Sequence, residues 1–299
     1  EVEALLASEG QRLAFEPMDH RALMGTSGAP TMGGIFAINA SGPRRVQGGA
    51  ARDFLLGVRF VDGRGQVLRN GGRVMKNVTG YDLVKLMAGA HGTLGVLTEV
   101  ALKVLPQPET TMTLALRDVD LATGITGLCA ALGSPFDVTG AAYDPEARAA
   151  YVRFEGFGAS VAYRAGELTK LLGRVGEVVQ IPEAEELWCA IRDVAGFAGQ
   201  PGDVWRISVK PTDAMRLIPA LGATRYLCDW GGGLIWALMP EGTDLREKMT
   251  LPGHATLVRA GMENRLPRFH PEPAPLAAIS TALRAEFDPR GLINPGLMG

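Results

Sequence analysis

The residues best suited to chemistry in this sequence are glycines. Positions 31–42 read Thr-Met-Gly-Gly-Ile-Phe-Ala-Ile-Asn-Ala-Ser-Gly. Gly33 and Gly34 lack a Cβ, so a ligand or a second backbone can come close to their amides. The run from Ile35 to Ala40 is expected to begin a helix. The unsatisfied N–H groups of a helix start favour an anion such as a diphosphate, and small Ala37, one turn later, keeps that side open. The same spacing also suits a structural turn beneath a core helix, and it is not the G-x-G-x-x-G of a βαβ dinucleotide unit. Positions 89–99 read Gly-Ala-His-Gly-Thr-Leu-Gly-Val-Leu-Thr-Glu. Those glycines permit a sharp turn into an apolar strand. The turn either presents amides and the Thr93 hydroxyl to a planar, polar-edged ring, or simply joins helix to strand.

Other chemistries find less support. The four histidines, His20, His91, His254 and His270, stand far apart, and each reads as a structural residue. Arg206 and Arg265 are carboxylate clamps only in the sense that any arginine is. Glu183, Glu185 and Glu186 read as a solvated helix start. Cys129, Cys189 and Cys228 form neither a disulfide framework nor a C-x-x-C metal motif, so they read as small buried hydrophobes in a reducing cytoplasm. No catalytic residue and no metal ligand is assigned.

The elements that must hold the glycines follow from periodicity. Residues 1–9 read as helix, residues 54–61 and 66–69 as a hairpin around Asp62-Gly63-Arg64-Gly65, residues 81–90 as helix and residues 95–105 as a buried strand. Pro106 and Pro108 end that region. Beyond them strands are expected at 112–116, 151–154, 205–209, 225–228, 234–238 and 256–259, with helices at 121–132, 159–172 and 183–194. That mixture predicts an α+β arrangement with helices over one face of an antiparallel sheet. A last helix is expected at 275–287, followed by the turn Asp288-Pro289-Arg290-Gly291. The expected division is therefore residues 1–107, 108–274 and 275–299.

With 299 residues, 46% of them hydrophobic and 21% charged, the chain can bury the core of two domains. The net charge is −2, and the thin group Arg44, Arg45 and Arg52 does not make a phosphate-tracking surface, so nucleic acid is not an expected partner. No apolar run approaches the roughly 20 residues that span a bilayer. A cytoplasmic protein is expected, at most peripheral on the inner membrane.

Taken together, T-x-G-G-x-x-A-x-N-x-x-G from Thr31 to Gly42, G-Y-D-L from Gly80 to Leu83 and G-T-L-G-V-x-T-E from Gly92 to Glu99 closely resemble the vanillyl-alcohol-oxidase, or PCMH-type, FAD-binding family. Phe287-Asp288-Pro289-Arg290-Gly291-Leu292-Ile293-Asn294-Pro295-Gly296 resembles the family's C-terminal signature. Phe15-Glu16-Pro17 and Gly253-His254-Ala255-Thr256-Leu257 with Arg259 look most like its glycolate oxidase E-subunit branch. The resemblance implies a partial PCMH-type FAD-binding domain, an α+β cap domain, and a C-terminal tail returning to the FAD domain. It implies FAD lined by Thr31, Gly33, Gly34, Ala37, Gly42, Gly92, Thr93, Gly95 and Val96. It also implies an opening subdomain with a P-G-G-G-type diphosphate loop, which these residues do not include. The function implied is oxidation of a small 2-hydroxy acid, glycolate or D-lactate, with a catalytic flavin subunit and an iron–sulfur subunit as partners. The departure is the lack of the H-x-H-x-x-G-N-x-H metal motif carried by the catalytic relatives. A stand-alone flavin dehydrogenase and a scaffold subunit that has lost flavin are the alternatives.

Overall fold

The computed structural model describes residues 1–76, 80–262 and 264–298. The first half of the chain contains α1 (Val2–Ser8), β1 (Gln11–Leu13), α2 (Arg21–Met24), α3 (Met32–Ala37), α4 (Arg45–Gly48), α5 (Ala51–Phe54), β2 (Leu55–Val61), β3 (Val67–Gly71), α6 (Leu83–Met87), β4 (Val96–Leu102) and β5 (Val104–Pro106). β2 is the centre of a three-stranded antiparallel sheet with β3 and β4 on its flanks. The hairpin turn between β2 and β3 is closed by Asp62, whose Oδ1 accepts the N–H groups of Arg64 and Gln66 at 2.9 and 2.8 Å. Two elements differ from the sequence expectation. The helix expected at 81–90 is a single turn, because Asp82 caps it at the Lys85 N–H and Gly89 leaves it at φ 89°. The strand expected at 95–105 breaks after Leu102, and its last part turns away to pair with β1 in a separate two-stranded sheet.

The second half contains β6 (Thr110–Arg117), α7 (Leu121–Leu132), β7 (Val138–Asp144), β8 (Ala149–Gly156), α8 (Gly158–Leu172), β9 (Glu177–Ile181), α9 (Glu185–Asp193), β10 (Asp203–Val209), α10 (Ala214–Leu221), β11 (Arg225–Asp229), β12 (Leu234–Met239) and β13 (Gly253–Arg259). They build one eight-stranded sheet in the order β13-β10-β12-β11-β7-β8-β6-β9, antiparallel at every pairing. Alternation along a strand sends its residues to opposite faces, and both faces are covered. Leu114 and Leu116 share one core with Ile125 and Leu128 of α7, Leu168 of α8 and Leu217 of α10. Ala115 points the other way, to Trp188 and Ile191 of α9. The expectation of helices on one face is therefore corrected. α9 carries Trp188 and Ile191 on one side, and Gly140 leaves the space for that indole, since a Cβ there would lie 2.8 Å from the ring.

α11 (Ala274–Phe287) then returns to the first half, where Phe287 meets Phe60 at a ring distance of 6.1 Å and its carbonyl accepts the Gly63 N–H. The turn that follows works as a clasp. Asp288 Oδ2 accepts the Ile293 N–H at 2.7 Å, and Asn294 Nδ2 donates to the His91 carbonyl at 2.9 Å.

A buried ionic joint ties the two halves together. Glu16, between β1 and α2, pairs with Arg153 of β8 at 2.9 Å and with Arg44 at 3.4 Å. Glu155 of β8 pairs with Arg44 at 2.8 Å and with Arg12 of β1 at 3.0 Å. Gly42 permits the approach, because a Cβ there would stand 2.6 Å from the Glu16 carbonyl oxygen.

Candidate functional site

The halves enclose a cleft of about 720 Å³, within the usual range for cofactor and substrate sites. One wall comes from α2, α3 and the loop between them, with Gly28, Thr31, Gly34, Ile35, Ile38 and Asn39 facing in. The opposite wall is the β13-β10-β12 end of the large sheet, with Arg206, Ser208, Trp236, His254 and Thr256. Trp230, Arg45, His91, Arg268 and Phe269 also line it. Trp230 follows β11 directly and lies in the left-handed region at φ 54°. It is held there by two bonds: its indole N–H donates to the Gly42 carbonyl at 3.0 Å, and its backbone N–H donates to Asp229 at 2.7 Å. A bulky residue at positive φ is costly, and such strain collects at ligand sites.

The nine glycine-motif residues divide by position. Thr31 and Gly34 line the cleft. Thr31 also caps α3, its Oγ1 accepting the Gly34 N–H at 3.1 Å, so one amide expected to face an anion is already bonded. Gly33 faces away, where a Cβ would lie 3.4 Å from the Leu97 carbonyl oxygen of β4. The carbonyl of Ala37 accepts the His91 N–H at 2.8 Å and so joins the two glycine runs. Gly92, at φ 69°, leaves room for Asn294, and a Cβ on Gly95 would lie 2.8 Å from the Phe60 ring. Thr93 is buried and its hydroxyl donates to the Ala90 carbonyl. Val96 is exposed at the start of β4. The sequence motifs thus lie on the cleft wall and on the close backbone contacts that shape it. Replacing Thr31 with alanine is expected to cost about 1 kcal/mol and to fray the start of α3. Amide hydrogen exchange at Gly34 would report the loss.

The polar groups of the opposite wall are those that the sequence left unassigned. Arg206 is half-buried on β10. Burial, and then repulsion from Arg45, push its guanidinium down to about 10, against the pull of Asp229. His254 lies on β13, opposite Ser208 of β10. Burial first, and then Arg206 and His270, hold its imidazole below the ordinary value, and burial does the same for His91 and His20. All three cleft imidazoles are therefore neutral near pH 7, each offering one donor and one acceptor. Arg259, by contrast, is structural: its guanidinium donates to the carbonyls of Leu23, Phe197 and Gln200. Arg265 sits on an exposed loop, where it donates to the Met262 carbonyl. Strand alternation would have placed His254 and Thr256 on one face. The pairing of β13 beside β10, which brings them next to Arg206, is a long-range fact that no local pattern carries.

Among the described residues no group of three or more His, Cys, Asp or Glu could hold a metal ion, and no helix is long and apolar enough to cross a membrane.

No protein-family model matches the chain. A solved structure of alkyldihydroxyacetonephosphate synthase superposes with a TM-score of 0.68 at 16% identity, over 98% of this chain and 62% of that one. The fold is that of the PCMH-type FAD-binding flavoenzymes, and the likeness reaches the fold alone. The glycolate oxidase subunit GlcE of Escherichia coli (strain K12) is 38% identical over 301 aligned residues, covering 99% of this chain and 78% of its own length. The glycolate oxidase subunit GlcD of Bacillus subtilis (strain 168) is 43% identical over 84 residues, only 28% of this chain and 18% of its own. The chain belongs to the GlcE family of glycolate oxidase subunits, and so to the FAD-linked 2-hydroxy-acid oxidoreductases.

Proposed function

We propose that this chain is the FAD-binding subunit of a complex that oxidises glycolate, or D-lactate, to the 2-oxo acid. The observation that supports this reading best is the composition of the cleft. Small and apolar residues of the glycine-rich half, Gly28, Gly34, Ile35 and Ile38, share the cleft with Arg206, His254, Ser208 and Thr256 of the large sheet. The fit to a flavin rests on the absent side chains. A Cβ on Gly34 would lie 3.2 Å from Thr31 Oγ1 and push into the cap that shapes the wall, while Ile35 and Ile38 offer apolar surface to a ring system.

The nine motif residues take distinct parts in this proposal. Thr31 and Gly34 touch the cofactor, and Gly33 and Ala37 place their helix. Gly42, Gly92, Thr93 and Gly95 hold the backbone around it, and Val96 flanks it from β4. The chemistry supplied by bound FAD is acceptance of a hydride equivalent. The chain's own groups bind and orient an acid against it, and a neutral imidazole such as that of His254 can accept a hydroxyl proton. Trp230 and Trp236 exclude water from that end. The complex also contains a catalytic flavin subunit and an iron–sulfur subunit, to which the electrons pass, and it is at most peripheral on the inner membrane. Flavin content of the purified complex tests the reading. Two flavins per assembly are expected, one of them lost when Gly34 becomes aspartate; a single flavin that survives that change would defeat it.

A further inference from the structure

Two guanidiniums, one from each half of the molecule, meet on the same indole. Arg45 opens α4 in the first half, and its Cζ lies 5.4 Å from the centre of the Trp230 ring. Arg206 reaches that ring from β10 with its Cζ at 5.1 Å. Both arginines and the tryptophan line the cleft. Among the described residues, the one side-chain hydrogen bond made by Arg45 goes to Ser41 Oγ at 3.3 Å, and Arg206 has neither a hydrogen bond nor an ion pair.

Among the described residues the fully buried arginines, Arg44, Arg153 and Arg164, are partnered. Arg44 and Arg153 meet carboxylates, and Arg164 donates to the carbonyls of Phe136 and Glu155. Arg45 and Arg206 are half-buried and line the cleft, so donors that meet no protein acceptor are presented to it, and each cation is repelled by the other. An arrangement like this fits a site completed by an anion. The nearby groups favour a planar one of small size. The Trp230 ring offers a flat platform, Ser208, Thr256 and His254 offer hydroxyl and imidazole partners, and a guanidinium fork matches a carboxylate in two parallel bonds.

We propose that Arg45 and Arg206 together form the seat for the carboxylate of a small 2-hydroxy acid, and that the seat straddles the joint between the two halves. This inference rests on the reading of the chain as part of a hydroxy-acid oxidoreductase and adds the residues that select the substrate. Because one arginine comes from each half, an occupied seat draws the halves together, and the strained Trp230 is the rigid floor between them. Among the described residues neither guanidinium forms an ion pair with a protein carboxylate, and the one charge that either lends to a buried group is the longer-range pull of Arg206 on Asp229, which Arg206→Lys keeps.

Titration of the full-length protein with glycolate, followed by tryptophan fluorescence, tests the seat without reference to turnover. The expected result is a saturable change in the native protein. Affinity should fall at least tenfold in Arg206→Gln and in Arg45→Gln, recover in part in Arg206→Lys, and vanish in the double Gln variant, with flavin content unchanged throughout and melting temperature unchanged in Arg45→Gln and Arg206→Lys. No saturable change in the native protein, or equal affinity in the double variant, would overturn the proposal. So would inorganic phosphate competing while the same substitutions strip the flavin, since the arginines would then serve the cofactor's diphosphate. A protein that lacks flavin but still binds glycolate through these arginines would count against the FAD reading and leave the seat standing.

Discussion

Replacing Glu155 with alanine is expected to lower the unfolding free energy by roughly 3–5 kcal/mol, the usual cost of stripping a partner from a buried ion pair. The Glu155 side chain is 6% exposed and that of Arg44 8%, so loss of the carboxylate leaves Arg44 with only the longer contact to Glu16 and leaves Arg12 without its ion pair. Burial alone would raise the Glu155 carboxyl. The hydrogen bond and charge of Arg44, and then the charges of Arg153 and Arg12, outweigh it and hold the group at about 2. Glu16 is lowered in the same way, with Arg153 and Arg44 overcoming burial. A carboxylate whose pKa is depressed on folding stabilises the protein above its unfolded value, about 4.3, and that contribution is lost as pH falls toward 2. Native protein should therefore lose stability steeply between pH 4 and 2, and Glu155→Ala should flatten that limb. Replacing the pair together, as Arg44→Met with Glu155→Leu, should cost less than Glu155→Ala alone, because Arg44, the more deeply buried of the two cations on Glu155, is then removed with its partner and only the more exposed Arg12 loses its ion pair. Urea unfolding at several pH values measures all three. A loss under about 1 kcal/mol would put this joint with ordinary surface pairs.

Asp229→Asn is expected to stabilise the protein, and more so as pH rises. Asp229 is 3% exposed. Burial raises its carboxyl to about 7, against the lowering effect of the Trp230 N–H and of Arg153 and Arg206. A group whose pKa is raised on folding contributes stability below its unfolded value, about 3.9, and loses it as pH climbs through the folded value. Ionisation thus works against the fold across neutral pH, and asparagine, which can still accept the Trp230 N–H, escapes that cost. The gap between variant and native protein should widen by roughly 2–3 kcal/mol between pH 5 and 8. Thermal melts at the two pH values would show it, and a gap that is constant or reversed would mean that Asp229 is ionised in the folded protein.

Local pattern carried much of this architecture. The hairpin around Asp62, the helices α7 and α8 and the return of α11 were all legible from periodicity, turn residues and the C-terminal motif. β7, β9 and α10 were not. β7 reads Val-Thr-Gly-Ala-Ala-Tyr-Asp and is buried almost throughout, so it lacks the alternation that announces a strand. α10 contains Pro219, which argues against a helix in any local reading. The glycine motifs pointed to one wall of the cleft. Arg206, His254 and Trp230 did not stand out, because each looks ordinary until β10, β13 and the turn after β11 are brought side by side.

If FAD sits between α3 and the arginine-bearing wall, as proposed, the visible spectrum of the full-length protein, purified alone and then mixed with glycolate, must show it. The expected result is a flavin absorption band that is absent in Gly34→Asp and bleaches when glycolate is added in the presence of the partner subunits. A folded protein that stays colourless when FAD is supplied would instead be a subunit that has kept the fold without the cofactor, and the proposed function would fall.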